Sequence, residues 1–234
     1  MTQTIWTQIY ETLSKEIALG HYPKGQKLPT EAKMAKRFQV NRHTIRRALS
    51  VLQDDGAIHI RQGAGAFVNQ TPLDYRLGSK TRFSQNLEQT GLSLDRKILR
   101  LETVPAAQKE AEVLALAKGA LVHVLEAASI VDGAPFSYSK SMFPAERFPD
   151  LKDTLQTVTS ITEAFRLNGV DDYSRKWTKL TAKRAHGTIA RALNIAEGAP
   201  VLRSVSLNID PVGQAIEYGR TWFHADRAQL VVEG

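Results

Sequence analysis

The residues of this chain best suited to chemistry on an acidic partner stand close together near its beginning. Arg42, His43, Thr44, Arg46 and Arg47 are interrupted only by Ile45. Ile45, Ala48, Leu49 and Leu52 recur at i, i+3, i+4 and i+7, so a helix over 42–55 buries them as one stripe. His43, Arg46, Arg47 and Ser50 then face outward, with Arg42 and Thr44 at the helix start. Arginines on such a face can donate two hydrogen bonds to a guanine edge or grip phosphate, and the helix start favours anions. Shortly afterwards Arg61-Gln62-Gly63-Ala64-Gly65 joins two short β-prone runs, Ala57–Arg61 and Ala66–Asn69. An arginine at the base and glycines at the tip let a hairpin bring its backbone to a sugar-phosphate wall or a minor groove.

Each feature has a plain alternative. An arginine-rich helix face is what many solvated helices show. The Gly63-Ala64-Gly65 turn lacks the third glycine, the following helix and the downstream acid of a dinucleotide fingerprint. The order of elements carries more weight. Trp6, Ile9, Tyr10, Leu13 and Ile17 have helical spacing, and Gly20 ends that helix before Tyr22-Pro23. Thr30 can cap a second helix that buries Met34, Ala35 and Phe38, and Asn41 can cap the third. Two helices, an arginine-faced helix and a hairpin form a winged helix-turn-helix, mainly α with a β-hairpin wing.

Charge supports this. The 234 residues carry a formal charge of +7, and residues 1–72 hold ten Lys/Arg against five Asp/Glu, so most of the surplus sits in under a third of the chain. The absence of cysteine excludes disulfides, thiolate zinc sites and a cysteine nucleophile. Residues 1–20 have no continuous apolar core, so a signal peptide is not expected there, and no run approaches ~18 uncharged apolar residues. The expectation is a cytoplasmic protein with no membrane partner and no cofactor.

Leu28-Pro29-Thr30-Glu31, Val40–Leu49 and Arg61–Val68 resemble the DNA-binding domain of the GntR superfamily of repressors, and the resemblance covers residues 1–70 without a gap. It departs at Ala32, where many members carry a DNA-contacting arginine. The resemblance implies Thr30, Arg42, His43, Thr44, Arg46, Arg47, Arg61, Gln62, Gly63 and Gly65 as DNA-contacting residues, double-stranded operator DNA with an inverted repeat as partner, and a homodimer.

Residues 70–80 mix Pro, Gly and polar side chains without a sustained period, so a linker over 71–80 is expected between a domain at 1–70 and one at 81–234. Beyond it, helices are expected around 84–90, 107–117, 160–167 and 188–193, and strands near 97–102, 121–131, 136–142, 174–185, 201–209 and 215–222. Strands joined by short turns such as Asp132-Gly133 imply an α+β domain, an antiparallel sheet with helices on one side. Arg82-Phe83-Ser84, Asp132-Gly133-Ala134-Pro135, Gly198–Leu202, Glu217-Tyr218 and Asp226-Arg227 resemble the UTRA effector domain of the HutC subfamily, a fold related to chorismate lyase. Within that subfamily Leu73-Asp74-Tyr75 and Arg82–Leu87 look most like regulators of phosphonate uptake and degradation.

This resemblance implies an effector pocket between sheet and helices, and an anionic small-molecule effector, a phosphonate for the members most alike. Arg82, Phe83, Ser84, Ser160, Thr162 and Glu217 match its positions. Ser160-Ile161-Thr162-Glu163 is independently a capping box, and a helix start with hydroxyls and free N–H groups can hold an anion. By strand alternation Arg175, Trp177, Lys179, Thr181 and Lys183 share one side; Arg175 and Lys183 could meet a dianion, or the row could be a basic edge that resists aggregation. Glu217 could hold an amino or hydroxyl group, or pair with Arg220 or Arg203. Sugar-phosphate-sensing members carry an arginine where Ala127 or Ser129 stands and a glutamate at Ser139, so the source of the anion-binding cation is open. Six scattered histidines without metal spacing, and no Gly-x-Ser-x-Gly or paired-carboxylate pattern, argue against an enzyme. A regulator of histidine or sugar catabolism is the competing reading.

Overall fold

The computed structural model describes residues 4–61, 63–69, 72–78, 80, 82, 86 and 91–232, the side chain of Arg61 excepted. The chain divides into two compact units, Met1–Thr71 and Pro72–Gly234.

In the first unit α1 (Ile5–Ala18), α2 (Glu31–Phe38) and α3 (Arg42–Asp54) precede the hairpin β1 (Ile58–Arg61) and β2 (Gly65–Val68). Ile9, Leu13, Met34 and the expected stripe of α3 bury together with Ile58, Ala66 and Val68. Trp6 is an exception to the α1 stripe: it stands outside this core, and the Arg47 guanidinium lies 4.7 Å over its ring. Lys27 bridges to Phe67, and Leu28 N donates to Ala66 O at 2.8 Å, so the wing is braced along its outer edge.

The second unit holds β3 (Leu73–Leu77), β4 (Leu94–Pro105), α4 (Gln108–Leu114), β5 (Leu121–Val131), β6 (Ala134–Pro144), α5 (Leu151–Thr157), α6 (Ile161–Leu167), β7 (Ser174–Arg184), α7 (Thr188–Leu193), β8 (Pro200–Ile209), β9 (Ala215–His224) and β10 (Ala228–Val232). Six strands form one antiparallel sheet in the order β4-β5-β6-β9-β8-β7. The expected helix over 84–90 lies outside the described residues, Asn86 apart.

Three expectations need correction. The stretch expected as linker contains a strand: β3 pairs in parallel with β10, and Tyr75 is buried 5.0 Å from the Phe223 ring. Its five residues are too few for alternation to stand out, and the pairing comes from a strand at the far end of the chain. Helices cover both faces of the sheet rather than one. Val124 and Leu125 point opposite ways; Val124 packs with Leu114 of α4, whereas Leu125 packs with Leu155 of α5 and Phe165 of α6. Finally, β7 carries a bulge between Arg175 and Trp177, where Lys176 has no partner in the register. The bulge reverses the alternation, so Arg175 faces one side and Trp177, Lys179, Thr181 and Lys183 the other.

Candidate effector cavity and DNA-reading surface

On the first unit, capping sets the two helices of the reading head. Thr30 Oγ1 accepts from Lys33 N at 3.3 Å, and Asn41 Oδ1 accepts from both Thr44 N and Thr44 Oγ1 at 2.9 Å. The hydroxyls of Thr30 and Thr44 are thus partly committed to the helix starts. Arg42, His43, Arg46 and Arg47 are exposed, as the wheel required. Arg46 Nε donates to Glu31 Oε2 at 2.8 Å. Gly63 and Gly65 take φ of 73° and 105°, and a Cβ at Gly65 would come 3.0 Å from Lys27 Cε. Gln62 and the Arg61 side chain lie outside the described residues; the Arg61 backbone opposes Gly65.

On the second unit a cavity of about 110 Å³ opens on the sheet face covered by α5 and α6. Its floor is built in cross-strand rows. Ser139, Thr221 and Ser204 stand side by side on β6, β9 and β8; Ser141, Gly219 and Ser206 form the next row; Glu217, Asn208 and Arg175 the third. At the other end Arg96, Ser129 and Ser137 make a row across β4, β5 and β6. Gly219 keeps the middle open, since a Cβ there would meet Ser206 Oγ at 3.4 Å and Glu217 Oε1 at 3.5 Å.

The third row is a closed hydrogen-bond chain. Arg175 Nε donates to Asn208 Oδ1 (2.8 Å), Asn208 Nδ2 to Glu217 Oε2 (2.7 Å), and Ser141 Oγ to Glu217 Oε1 (2.6 Å). Glu217 is therefore not paired with Arg220 or Arg203; Arg220, on the opposite face, reaches Glu110. Ser160 and Thr162 line the cavity, Ser160 Oγ accepting from Glu163 N (3.4 Å) and Thr162 Oγ1 lying 2.8 Å from Tyr173 OH. α6 has only seven residues, so its start offers little helix dipole.

Other sequence expectations fare differently. Arg82 is not in the cavity wall: it donates to Asp172 Oδ1 (2.6 Å) and lies 5.0 Å from the Tyr173 ring, behind a residue that is. The Lys80 ammonium, hydrogen-bonded at 2.8 Å, holds the Asp172 carboxyl below its usual range against the opposing effect of burial. Phe83 and Ser84 lie outside the described residues. The bulge removes Lys183 to the far face, where it is exposed. Of Ala127 and Ser129, Ser129 lines the cavity; Ser139 does too. Burial pushes the Tyr75 hydroxyl, at the cavity edge, up to about 12.

Arg96 was not foreseen. Burial lowers its pKa below the ordinary arginine value, and its NH2 donates to the carbonyls of Leu155, at 2.8 Å, and Val158. The serine floor was also missed, although a signal exists: Ser137, Ser139 and Ser141, then Ser204, Ser206 and Asn208, then Glu217, Gly219 and Thr221 each place small or polar residues at period two within strands.

A winged helix-turn-helix followed by a sheet domain with a polar, ligand-sized cavity is the arrangement of a transcriptional regulator that senses a small molecule. The chain belongs to the GntR family of bacterial regulatory proteins: the profile of that family matches residues 6–68, and the profile of the UTRA domain matches residues 89–229. It is 34% identical over 234 residues, all of this chain and 96% of the other, to the HTH-type transcriptional regulator RB1450 of Rhizobium meliloti (strain 1021). It is 32% identical to the probable transcriptional regulator PhnF of Escherichia coli (strain K12), over 98% of this chain and 95% of that one. The crystal structure of PhnF from Mycobacterium smegmatis superposes with a TM-score of 0.68 at 25% identity, covering 96% of this chain and 98% of that one. Regulators of this family bind operator DNA, and UTRA domains bind small-molecule effectors; the relatives are regulators and not enzymes.

Proposed function

We propose that the chain represses genes for phosphonate uptake or degradation and is released from its operator by a small phosphorus-containing anion held in the cavity. The observation that carries this reading is the cavity floor, where rows of hydroxyls lie between two guanidiniums, Arg96 at one end and Arg175 at the other, with Glu217 the one carboxylate among the described lining residues. Hydroxyls and guanidiniums donate to the oxygens of a phosphonate. The resemblance of Leu73-Asp74-Tyr75 and Arg82–Leu87 to phosphonate regulators, and the likeness to PhnF over nearly the whole chain, support the pathway. Thr30, Arg42, His43, Thr44, Arg46, Arg47 and the wing over 61–65 form the DNA contacts in this reading, and two chains read an inverted repeat.

A thermal-shift screen tests it, because a ligand of the folded state raises stability by RT ln(1 + [L]/Kd), about 2.7 kcal/mol at a hundredfold excess over Kd. Phosphonates, phosphate esters, sugar phosphates and amino acids are compared. A shift with phosphonates, together with loss of operator binding, supports the proposal. A shift with a sugar phosphate or amino acid alone assigns the chain to another catabolic pathway.

A further inference from the structure

Two residues that line the cavity each carry a buried polar atom that has no partner among the described residues. Arg96 NH1 and Ser137 Oγ are both buried without a hydrogen-bond partner among the described residues. They belong to one cross-strand row, Arg96 on β4, Ser129 on β5 and Ser137 on β6, and all three line the cavity. Adjacent strands lie about 4.8 Å apart, so Arg96 and Ser137 start about 10 Å apart, and the long arginine side chain can lean across Ser129 toward the serine. Buried polar groups without partners are uncommon and costly, and where two of them belong to one row of a cavity wall, an acceptor brought by a ligand accounts for both.

Charge identifies that acceptor. The other cavity cation, Arg175, is linked through Asn208 to the Glu217 carboxylate. Among the described residues Arg96 has only neutral carbonyls as partners, those of Leu155 and Val158, and these hold its guanidinium to the segment that leads into Thr159 and Ser160 of the cavity wall. A guanidinium that stays protonated, half-buried and without a carboxylate partner among the described residues, favours an anion.

We propose that Arg96 and Ser137 together bind the anionic end of the effector, an oxyanion with at least two acceptor oxygens, and that Arg96 is the residue that selects for its charge. The assignment rests on the effector reading of the cavity given above. It places the anion at the β4 side of the floor and leaves the Glu217 row for the rest of the ligand.

Methylphosphonate and inorganic phosphate serve as probes, with acetate as a one-carboxylate comparison and methanol as an uncharged one, titrated calorimetrically into the full-length chain. Arg96→Gln should weaken methylphosphonate binding by at least about tenfold, the loss of one charge-assisted hydrogen bond. Its lost bonds to Leu155 and Val158 could also loosen α5, so Ser137→Ala is the decisive companion. The Ser137 hydroxyl has no partner to lose among the described residues; its removal leaves the thermal midpoint of the unliganded protein unchanged or raises it, yet weakens the oxyanion severalfold. A merely structural serine would not produce that pair of effects. Lys183→Gln, on the far face, leaves binding unchanged. If the wild-type chain binds methylphosphonate or phosphate and both variants bind equally well, the assignment of Arg96 and Ser137 is overturned while the cavity keeps its anionic effector. If the wild-type chain binds no oxyanion, the anionic-effector reading falls and the present assignment with it.

Discussion

Arg46 on α3 donates its Nε to Glu31 in the first turn of α2, at 2.8 Å, and so joins the two helices of the reading head through their exposed sides. The bond uses the inner nitrogen of the guanidinium and leaves the two terminal nitrogens, the pair that a bidentate contact to a guanine edge uses, without a partner among the described residues. Because the pair is well exposed, it adds little to stability. Its effect is on direction.

Arg46→Ala should therefore cost about 1–3 kcal/mol of operator affinity and relax sequence preference, while thermal stability hardly changes. Glu31→Gln should weaken binding less and keep the preference. Fluorescence anisotropy with an operator duplex and a scrambled duplex measures both. A folded Arg46→Ala protein with unaltered affinity and selectivity would remove Arg46 from the reading head.

A second expectation concerns the wing. Gly65 sits at φ 105°, a conformation that costs an L-residue about 1–3 kcal/mol, whereas the nearby Lys27 Cε belongs to a flexible side chain and can retreat. Gly65→Ala should destabilise the first unit by about that amount and lower affinity for any duplex, with sequence preference retained. Equal losses for operator and scrambled DNA identify a backbone contact to the sugar-phosphate wall; a loss confined to the operator would contradict it.

Much of this was legible in the chain because the signals were local. Caps at Thr30 and Asn41, a four-residue apolar stripe in α3 and a two-residue turn at Asp132-Gly133 are each contained within a few positions, and the corresponding elements form where the pattern puts them. Nonlocal features were harder to see. The pairing of β3 with β10 brings together residues some 150 positions apart, and the Lys176 bulge reverses the face of every later residue on β7 without leaving a mark in composition. Arg96 shows the same limit in the cavity: in an edge strand of mixed charge it looks solvent-facing, and only its cross-strand partner Ser129 reveals where it points.

Acid sensitivity should originate partly at the turn between β8 and β9. Burial raises the pKa of Asp210, but the Arg147 guanidinium and the N–H groups of Gln214 and Val212, at 2.8 and 3.0 Å, outweigh it and hold the carboxyl below its usual range. A carboxyl depressed on folding stabilises at pH above its unfolded value of about 4, and that contribution fades as pH falls toward and through the folded value. Asp210→Asn should cost about 1–3 kcal/mol at pH 7. The gap from wild type should narrow below about pH 4, read from urea unfolding of the second unit by Trp177 and Trp222 fluorescence. A gap of constant size down to pH 3 would show that shape rather than charge matters at this position.

A two-fold dimer is expected from the length of site that one short winged unit can cover. Light scattering at micromolar concentration should give about 52 kDa, twice the 26.0 kDa chain. One chain per operator in the complex would overturn it.

Sensing requires that the occupied cavity disfavour the DNA-bound arrangement, since an effector with equal affinity for both arrangements shifts nothing. The first unit ends at Thr71 and the second begins at Pro72, and Tyr75, on the strand that follows directly, lines the cavity. A ligand touching Tyr75 acts on the strand nearest the joint, and this short path is the expected element of coupling. A coupling of about 1–3 kcal/mol would weaken operator binding roughly 5- to 150-fold, and linkage demands that operator DNA weaken the effector by the same factor. Both arms are measurable: operator affinity with and without saturating methylphosphonate, and methylphosphonate affinity with and without operator. Factors above one in both arms, equal as linkage requires, establish coupling between cavity and operator. Tight effector binding with unchanged operator affinity would mean that the cavity is a ligand site uncoupled from DNA, and the derepression mechanism would be wrong even with its pocket right.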